Sequence, residues 1–198
     1  WKFFSSRDHG EKQAASPGLA AYWLPLSAEP ARCSLGADCT LPGQTSQAIE
    51  VTKVEDGHEA GLKQEGVYLP LHRESDYLVS FRSKGEGLAS GFAMSIREGS
   101  RALARVAFPP PAREWEAHSA DLNLPKGSVP AGSALTFAVE VPSAGKLSLD
   151  LLELCPRDAI DGFDRDVVRL CREARLPRRS DRADDQPPSL HLHLVHLP

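Results

Sequence analysis

Several things are scarce in this sequence, and each scarcity removes a class of protein. There is one methionine, Met94, one asparagine, Asn123, and four cysteines, and aromatic residues make up 7%. Cys33, Cys39, Cys155 and Cys171 form no Cys-x-x-Cys pair, so no zinc-ribbon pattern exists. No apolar run approaches the ~18–20 residues that a bilayer-crossing helix needs, so no membrane partner is expected. Positive charge is not in excess: 23 Lys and Arg face 27 Asp and Glu, for a net charge of −4. The basic footprint of a nucleic-acid binder is missing, and no nucleic-acid partner is expected. No Gly-rich phosphate loop and no Ser-His-Asp arrangement of usable spacing is present, and no organic cofactor is expected. The chain opens on Trp1 rather than Met, which leaves an upstream segment such as a secretory signal open, and with it the compartment.

What is present is a run of short alternating segments. Hydrophobic residues make up 41% of the 198, enough for the core of one moderate domain. Segments 49–54, 66–71, 77–82, 91–97, 103–108, 115–122, 135–141 and 147–154 are β-prone, and period-two alternation within them implies one buried and one wet face. Tyr77, Val79 and Phe81 share a face, as do Phe92, Met94 and Ile96. The breaks carry turn chemistry: Ser83–Gly87, Glu98-Gly99-Ser100 and Ser143-Ala144-Gly145. Pro109-Pro110-Pro111 reads as a stiff surface connection. The pattern predicts an all-β, jelly-roll-like antiparallel β-sandwich over residues 1–156. A short amphipathic helix follows, with acidic residues in its first turn and Val167, Val168, Leu170 and Cys171 at helical spacing. Beyond Pro177 the chain turns charged and Pro-rich, and residues 178–198 read as an irregular or disordered tail.

Three stretches resemble α-L-arabinofuranosidases of glycoside hydrolase family 51. One is Gly66-Val67-Tyr68-Leu69-Pro70 followed by Tyr77 to Gly85. A second is Ala112-Arg113-Glu114-Trp115-Glu116. The most specific is Leu147 to Pro156 leading to Asp161-Gly162-Phe163-Asp164-Arg165-Asp166-Val167-Val168. The resemblance implies that residues 1–156 are a carbohydrate-binding-module-like sandwich, and that 157–177 are the loop and first helix of a truncated (β/α)₈ barrel. It implies a parent enzyme releasing terminal arabinofuranosyl groups from arabinan or arabinoxylan. Such enzymes use two glutamates in a retaining mechanism. After Arg175-Leu176-Pro177 the expected Pro-Gly-Gly-Asn-like strand is replaced by Arg178-Arg179-Ser180, and the Asn-Glu step is missing because Leu124 follows Asn123. No catalytic residue carries over, and this chain is expected to be inactive. The alternatives are a stand-alone weak polysaccharide-binding module and a structural or non-functional fragment. The implied partners are a plant-type polysaccharide or the missing barrel.

Sugar rings pack on aromatic faces, so Trp23, Tyr68, Tyr77 and Trp115 are candidates, with Trp23 and Trp115 preferred and Tyr77 read as core. Similar sandwiches hold a structural calcium near an acidic residue of the last strand, which singles out Asp150 as the one plausible ligand. Glu114 and Glu116, placed on one strand face, have the spacing of paired carboxylates but read as an exposed face. Cys33 and Cys39 flank Ser34–Asp38 and could close a small disulfide in an oxidising compartment. His191, His193 and His196 form a tail motif able to bind zinc or copper, though a fortuitous run explains it as well.

Overall fold

The computed structural model describes residues 19–20, 22–26, 31–36 (backbone), 39–40, 45–54, 60–71, 75–130, 132–161 and 163–174. Among these residues ten strands are present: β1 (Leu24–Pro25), β2 (Ala31–Gly36), β3 (Ser46–Val51), β4 (Ala60–Tyr68), β5 (Asp76–Glu86), β6 (Phe92–Glu98), β7 (Arg101–Phe108), β8 (Glu116–Asn123), β9 (Ala134–Val141) and β10 (Gly145–Pro156). They form two five-stranded antiparallel sheets, ordered β1-β4-β9-β6-β7 and β2-β3-β10-β5-β8. The eight strands from β3 onward pair as a nested set: β3 with β10, β4 with β9, β5 with β8, β6 with β7. That nesting is the jelly roll.

The predicted alternation produces the core. In β5, Tyr77, Val79, Phe81 and Ser83 are buried while their neighbours Leu78, Ser80, Arg82 and Lys84 are only partly so. Phe137 and Val139 of β9 and Leu147 and Leu149 of β10 are fully buried. Each such aliphatic or aromatic side chain contributes about 1.5–3 kcal/mol by leaving water. Phe81, Phe92 and Phe108 join the two sheets, with Phe81 edge-on to Phe108 at 4.8 Å between centroids.

Three local expectations change. Ser83–Glu86 is not a turn: β5 runs on to Glu86, and the chain turns at Gly87, whose φ is +79°. Ser34, expected in a loop between two cysteines, lies in β2, where the Cys33 backbone pairs with Ile49. The side chain of Cys33 falls outside the described residues, and the Cys33–Cys39 bridge with it. In β10 the register shifts between Asp150 and Glu153, and Leu151 takes a φ of +52° there.

Helix α1 (Arg165–Glu173) follows the sandwich. Asp164 caps it, its carboxylate accepting from the backbone N–H of Asp166 at 2.7 Å and of Val167 at 3.4 Å. None of its residues is buried. Val167 and Leu170 are more than half exposed, as is Phe163 just before it. Among the described residues, no helix is long and apolar enough to cross a membrane.

Candidate functional site

The outward positions of β5 and β10 lie side by side. Lys84 stands opposite Ser148, and Glu86 opposite Lys146. Between them opens a groove of about 290 Å³ lined by Lys84, Gly85, Glu86, Arg113, Lys146 and Ser148.

The groove owes one wall to the connection from β7 to β8. Residues 109–115 run past the end of β5, and the Gly85 N–H donates to the Ala112 carbonyl at 2.7 Å. A Cβ at position 85 would stand 2.5 Å from Pro111 Cγ, inside contact distance, so only glycine lets the connection come this close. The connection then sets Arg113 against Glu86, Nη2 to Oε1, at 3.0 Å. Two residues on, the Trp115 ring comes beneath Lys84, whose Nζ lies 5.0 Å from the ring centroid. Lys146 faces Glu50 of β3 at 3.6 Å.

Of the aromatic candidates, Trp115 is the one at this groove. It is half-buried. Trp23 is a correction: it is 2% exposed, and its ring packs edge-on against Phe137 at 6.2 Å. Leu19 and Ala20 are buried beside it in sequence, and the Ala20 N–H donates to Gln47 Oε1 at 2.9 Å. This segment enters the core, so Trp23 has no open face for a sugar. Tyr77 is core, fully buried. Tyr68 is 66% exposed but belongs to β4, in the sheet away from the groove.

Asp150 is also read differently once its partners are seen. It has the outward parity of Ser148, yet it is 2% exposed. Its Oδ2 accepts from the backbone N–H of Thr40 at 2.8 Å and from Thr40 Oγ1 at 2.6 Å, and its Oδ1 accepts from the Leu151 N–H at 2.8 Å. The carboxylate is thus turned toward hydrogen-bond donors, which repel rather than replace a cation. It anchors the turn at Thr40 and the left-handed backbone of Leu151. Among the described residues, no three His, Cys, Asp or Glu side chains converge on a point where a metal could sit. The calcium expectation at Asp150 thus finds no cluster of acidic ligands among the described residues.

Glu114 precedes β8 and Glu116 opens it, so they do not share a strand face; both are exposed. His191, His193 and His196 lie outside the described residues.

A second polar cluster was not foreseen. Glu140 of β9, 7% exposed, accepts from Arg97 Nη2 at 2.7 Å, from Arg105 Nε at 2.8 Å and from Ser95 Oγ. Burial alone would push this carboxyl up, but the hydrogen bonds from Ser95, Arg105 and Arg97, with the charge of Arg97, hold it below the ordinary carboxylate value. Its oxygens are consumed by these partners, and the cluster ties β6, β7 and β9 together across the outer face of the first sheet.

Of the groove residues only Ser148 falls in a segment that the alternation predicts as strand; Lys84 and Glu86 lie in the expected turn, and Lys146 just before the expected last strand. Lys84 and Glu86 in β5 and Lys146 and Ser148 in β10 fall at period two. The signal that would have singled them out, adjacency of β5 and β10, is a pairing across sequence that no local pattern carries.

No protein-family model matches the chain, and no curated protein sequence matches it. Solved structures do resemble its fold. An arabinose-bound GH51 α-L-arabinofuranosidase aligns with a TM-score of 0.58 at 18% identity, over 79% of this chain and 27% of that one. The chain therefore spans about a quarter of that enzyme's length. An apo cyclase from Fischerella sp. aligns with a TM-score of 0.53 at 13% identity, over 77% of this chain and 91% of that one. A Stig cyclase, Fisc, from Fischerella sp. TAU gives 0.51 at 13%, over 68% and 84%. At these identities the likeness establishes the sandwich architecture, which hosts different chemistries, and function must be argued from the site.

Proposed function

We propose that this chain is a carbohydrate-binding sandwich of the kind that accompanies an arabinofuranosidase-like glycoside hydrolase, and that it holds polysaccharide without cleaving it. The observation that carries the reading is the groove beside Trp115. Its lining of Lys84, Arg113, Lys146 and Ser148 carries side chains that can hydrogen-bond sugar hydroxyls, and the Trp115 indole borders it beneath Lys84. The sequence resemblance over Gly66–Gly85 and Leu147–Val168 supports the glycosidase association. So does the shared fold with an arabinofuranosidase. The parent activity on arabinan or arabinoxylan belongs to the same proposal, with the catalytic carboxylates lying outside the 198 residues.

The test is affinity electrophoresis of the full chain in gels containing arabinan or arabinoxylan, beside a Trp115→Ala variant. Retardation that the variant loses is expected. Equal mobility with and without polysaccharide would remove the binding reading. An assay with a chromogenic arabinofuranoside is expected to show no turnover, and hydrolysis by the purified chain would overturn the non-catalytic assignment.

A further inference from the structure

The groove lining is unbalanced in a way that bears on its ligand, and the argument rests on the glycan-binding reading above. Of its six residues, Lys84, Arg113 and Lys146 are cationic, Ser148 carries a hydroxyl, and Glu86 is the one carboxylate. The Gly85 N–H is already used by Ala112. Ammonium and guanidinium groups donate and cannot accept. Glu86, the one strong acceptor, is engaged by Arg113 at 3.0 Å. A neutral sugar ring presents hydroxyls that donate as well as accept, and this lining leaves their donated protons poorly served. A ligand group that only accepts fits the lining better.

The charge points the same way. Three cations face one carboxylate in the lining. Glu50, 3.6 Å from Lys146 on the β3 side, reduces the excess without cancelling it. Glu114 and Glu116, both exposed, flank Trp115 outside the lining. The chain as a whole carries −4, so the groove is opposite in sign to the molecule around it. The three cations come from separate elements, β5, the β7–β8 connection and β10. The Arg113–Glu86 pair is widely exposed, at 81% and 66%, and such a pair is weak enough to be exchanged for a ligand carboxylate. At about 290 Å³ the groove lies at the lower end of ligand-pocket sizes, suited to one sugar residue rather than a long chain.

We propose that this groove takes an anionic sugar residue, a uronate borne on a polysaccharide, with its carboxylate received by Arg113 and Lys146 and its ring edge near Lys84 and Trp115. Charge-assisted bonds from a guanidinium to a carboxylate are the strongest polar contacts the lining can make.

The experiment uses the full chain and four immobilised probes: a glucuronic-acid-bearing xylan, the same xylan after carboxyl reduction, a sulfated dextran and polyglutamate. The uronate xylan is expected to bind about twofold to fivefold more tightly than its reduced form, the size of one solvent-exposed ion pair. Arg113→Ala and Lys146→Ala are each expected to remove most of that preference, bringing the affinities for the two xylans together, while leaving the melting temperature unchanged. Equal binding to both xylans would overturn the anionic assignment and leave the glycan-binding reading intact. Binding to neither xylan would overturn both. Sulfated dextran binding as tightly as the uronate xylan would place the specificity in anionic esters and overturn the uronate. Polyglutamate binding as tightly would reduce the groove to a general polyanion site and overturn the proposal.

Discussion

Gly85 and Ala112 are joined by a single backbone hydrogen bond of 2.7 Å, and Pro111 packs where a side chain at position 85 would have to go. This contact sets the height of the groove wall. Gly85→Ala pushes a methyl group against Pro111 and the Lys146 carbonyl, and neither can yield without moving backbone. An overpacking cost of about 1–3 kcal/mol is expected. For a chain of this size each kcal/mol lowers Tm by about 2–4 °C, which a thermal melt will read. Because the displaced segment carries Arg113 and Trp115, glycan retention should fall as well. A variant that melts like the parent would show that the contact is soft.

Glu140 makes stability depend on acid. Its carboxyl is held below 4.5, its ordinary value, so the folded state favours the ionised form. The stabilisation is complete above the unfolded pKa, and it is lost as pH falls through 4.5 toward the lower folded value. Denaturant melts from pH 7 down to pH 3 should show stability declining over that window. Glu140→Gln leaves Arg97 and Arg105 without their anion, and a cost of about 3 kcal/mol at pH 7 is expected for so buried a partner. The variant should also lose part of the acid slope. An unchanged slope would assign it to other carboxylates.

Asp150 serves as an acceptor of N–H and O–H groups, and its variants should behave accordingly. Asp150→Ala strands the buried donors of Thr40 and Leu151, at about 1–3 kcal/mol for a donor left unpaired. Calcium or a chelator should leave the melting temperature of the parent where it is. A calcium-dependent rise that Asp150→Ala abolishes would restore a metal role to this carboxylate.

The two tryptophans should separate stability from binding. Trp23→Ala empties a core position against Phe137 and is expected to cost about 3–5 kcal/mol. Trp115→Ala removes a half-exposed ring and its contact with Lys84, a loss within about 1 kcal/mol. Glycan retention should fall in the second and persist in whatever folded fraction the first retains. The opposite pattern would move the binding surface to another face of the sandwich.

How much of this could be read from sequence follows from the range of each interaction. Each of the eight alternating segments overlaps a strand, 49–54 and 66–71 only over their first three residues, because period two is a local property and Tyr77, Val79 and Phe81 announce a buried face by themselves. β1, of two residues, exists through pairing with β4 and has no local signal, whereas β2, Ala-Arg-Cys-Ser-Leu-Gly, does alternate but is obscured by the two cysteines that suggest a loop. Trp23 was placed outside the core because nothing near it in sequence reveals Phe137. Leu151 at φ +52° contradicts the preference of leucine, and the neighbouring Asp150 carboxylate, itself held by Thr40, makes the conformation tolerable. The binding groove was the least legible part. Trp115 could be picked by residue type, but the cations around it meet only after β5, β10 and the proline connection are assembled.

The order of the strands has a consequence for synthesis. β9 and β10 are the last of the described strands to leave the ribosome, yet each stands in the middle of its sheet. Until they arrive, β4 and β6 have no common neighbour, nor do β3 and β5, and each half-sheet shows an open edge of unpaired amides and carbonyls. A nascent chain from which neither β9 nor β10 has emerged therefore holds two gaps rather than a smaller sandwich, and those gaps are templates for strands of other chains. The emergence of β9 and β10 closes both sheets, and the solubility of the sandwich is decided there.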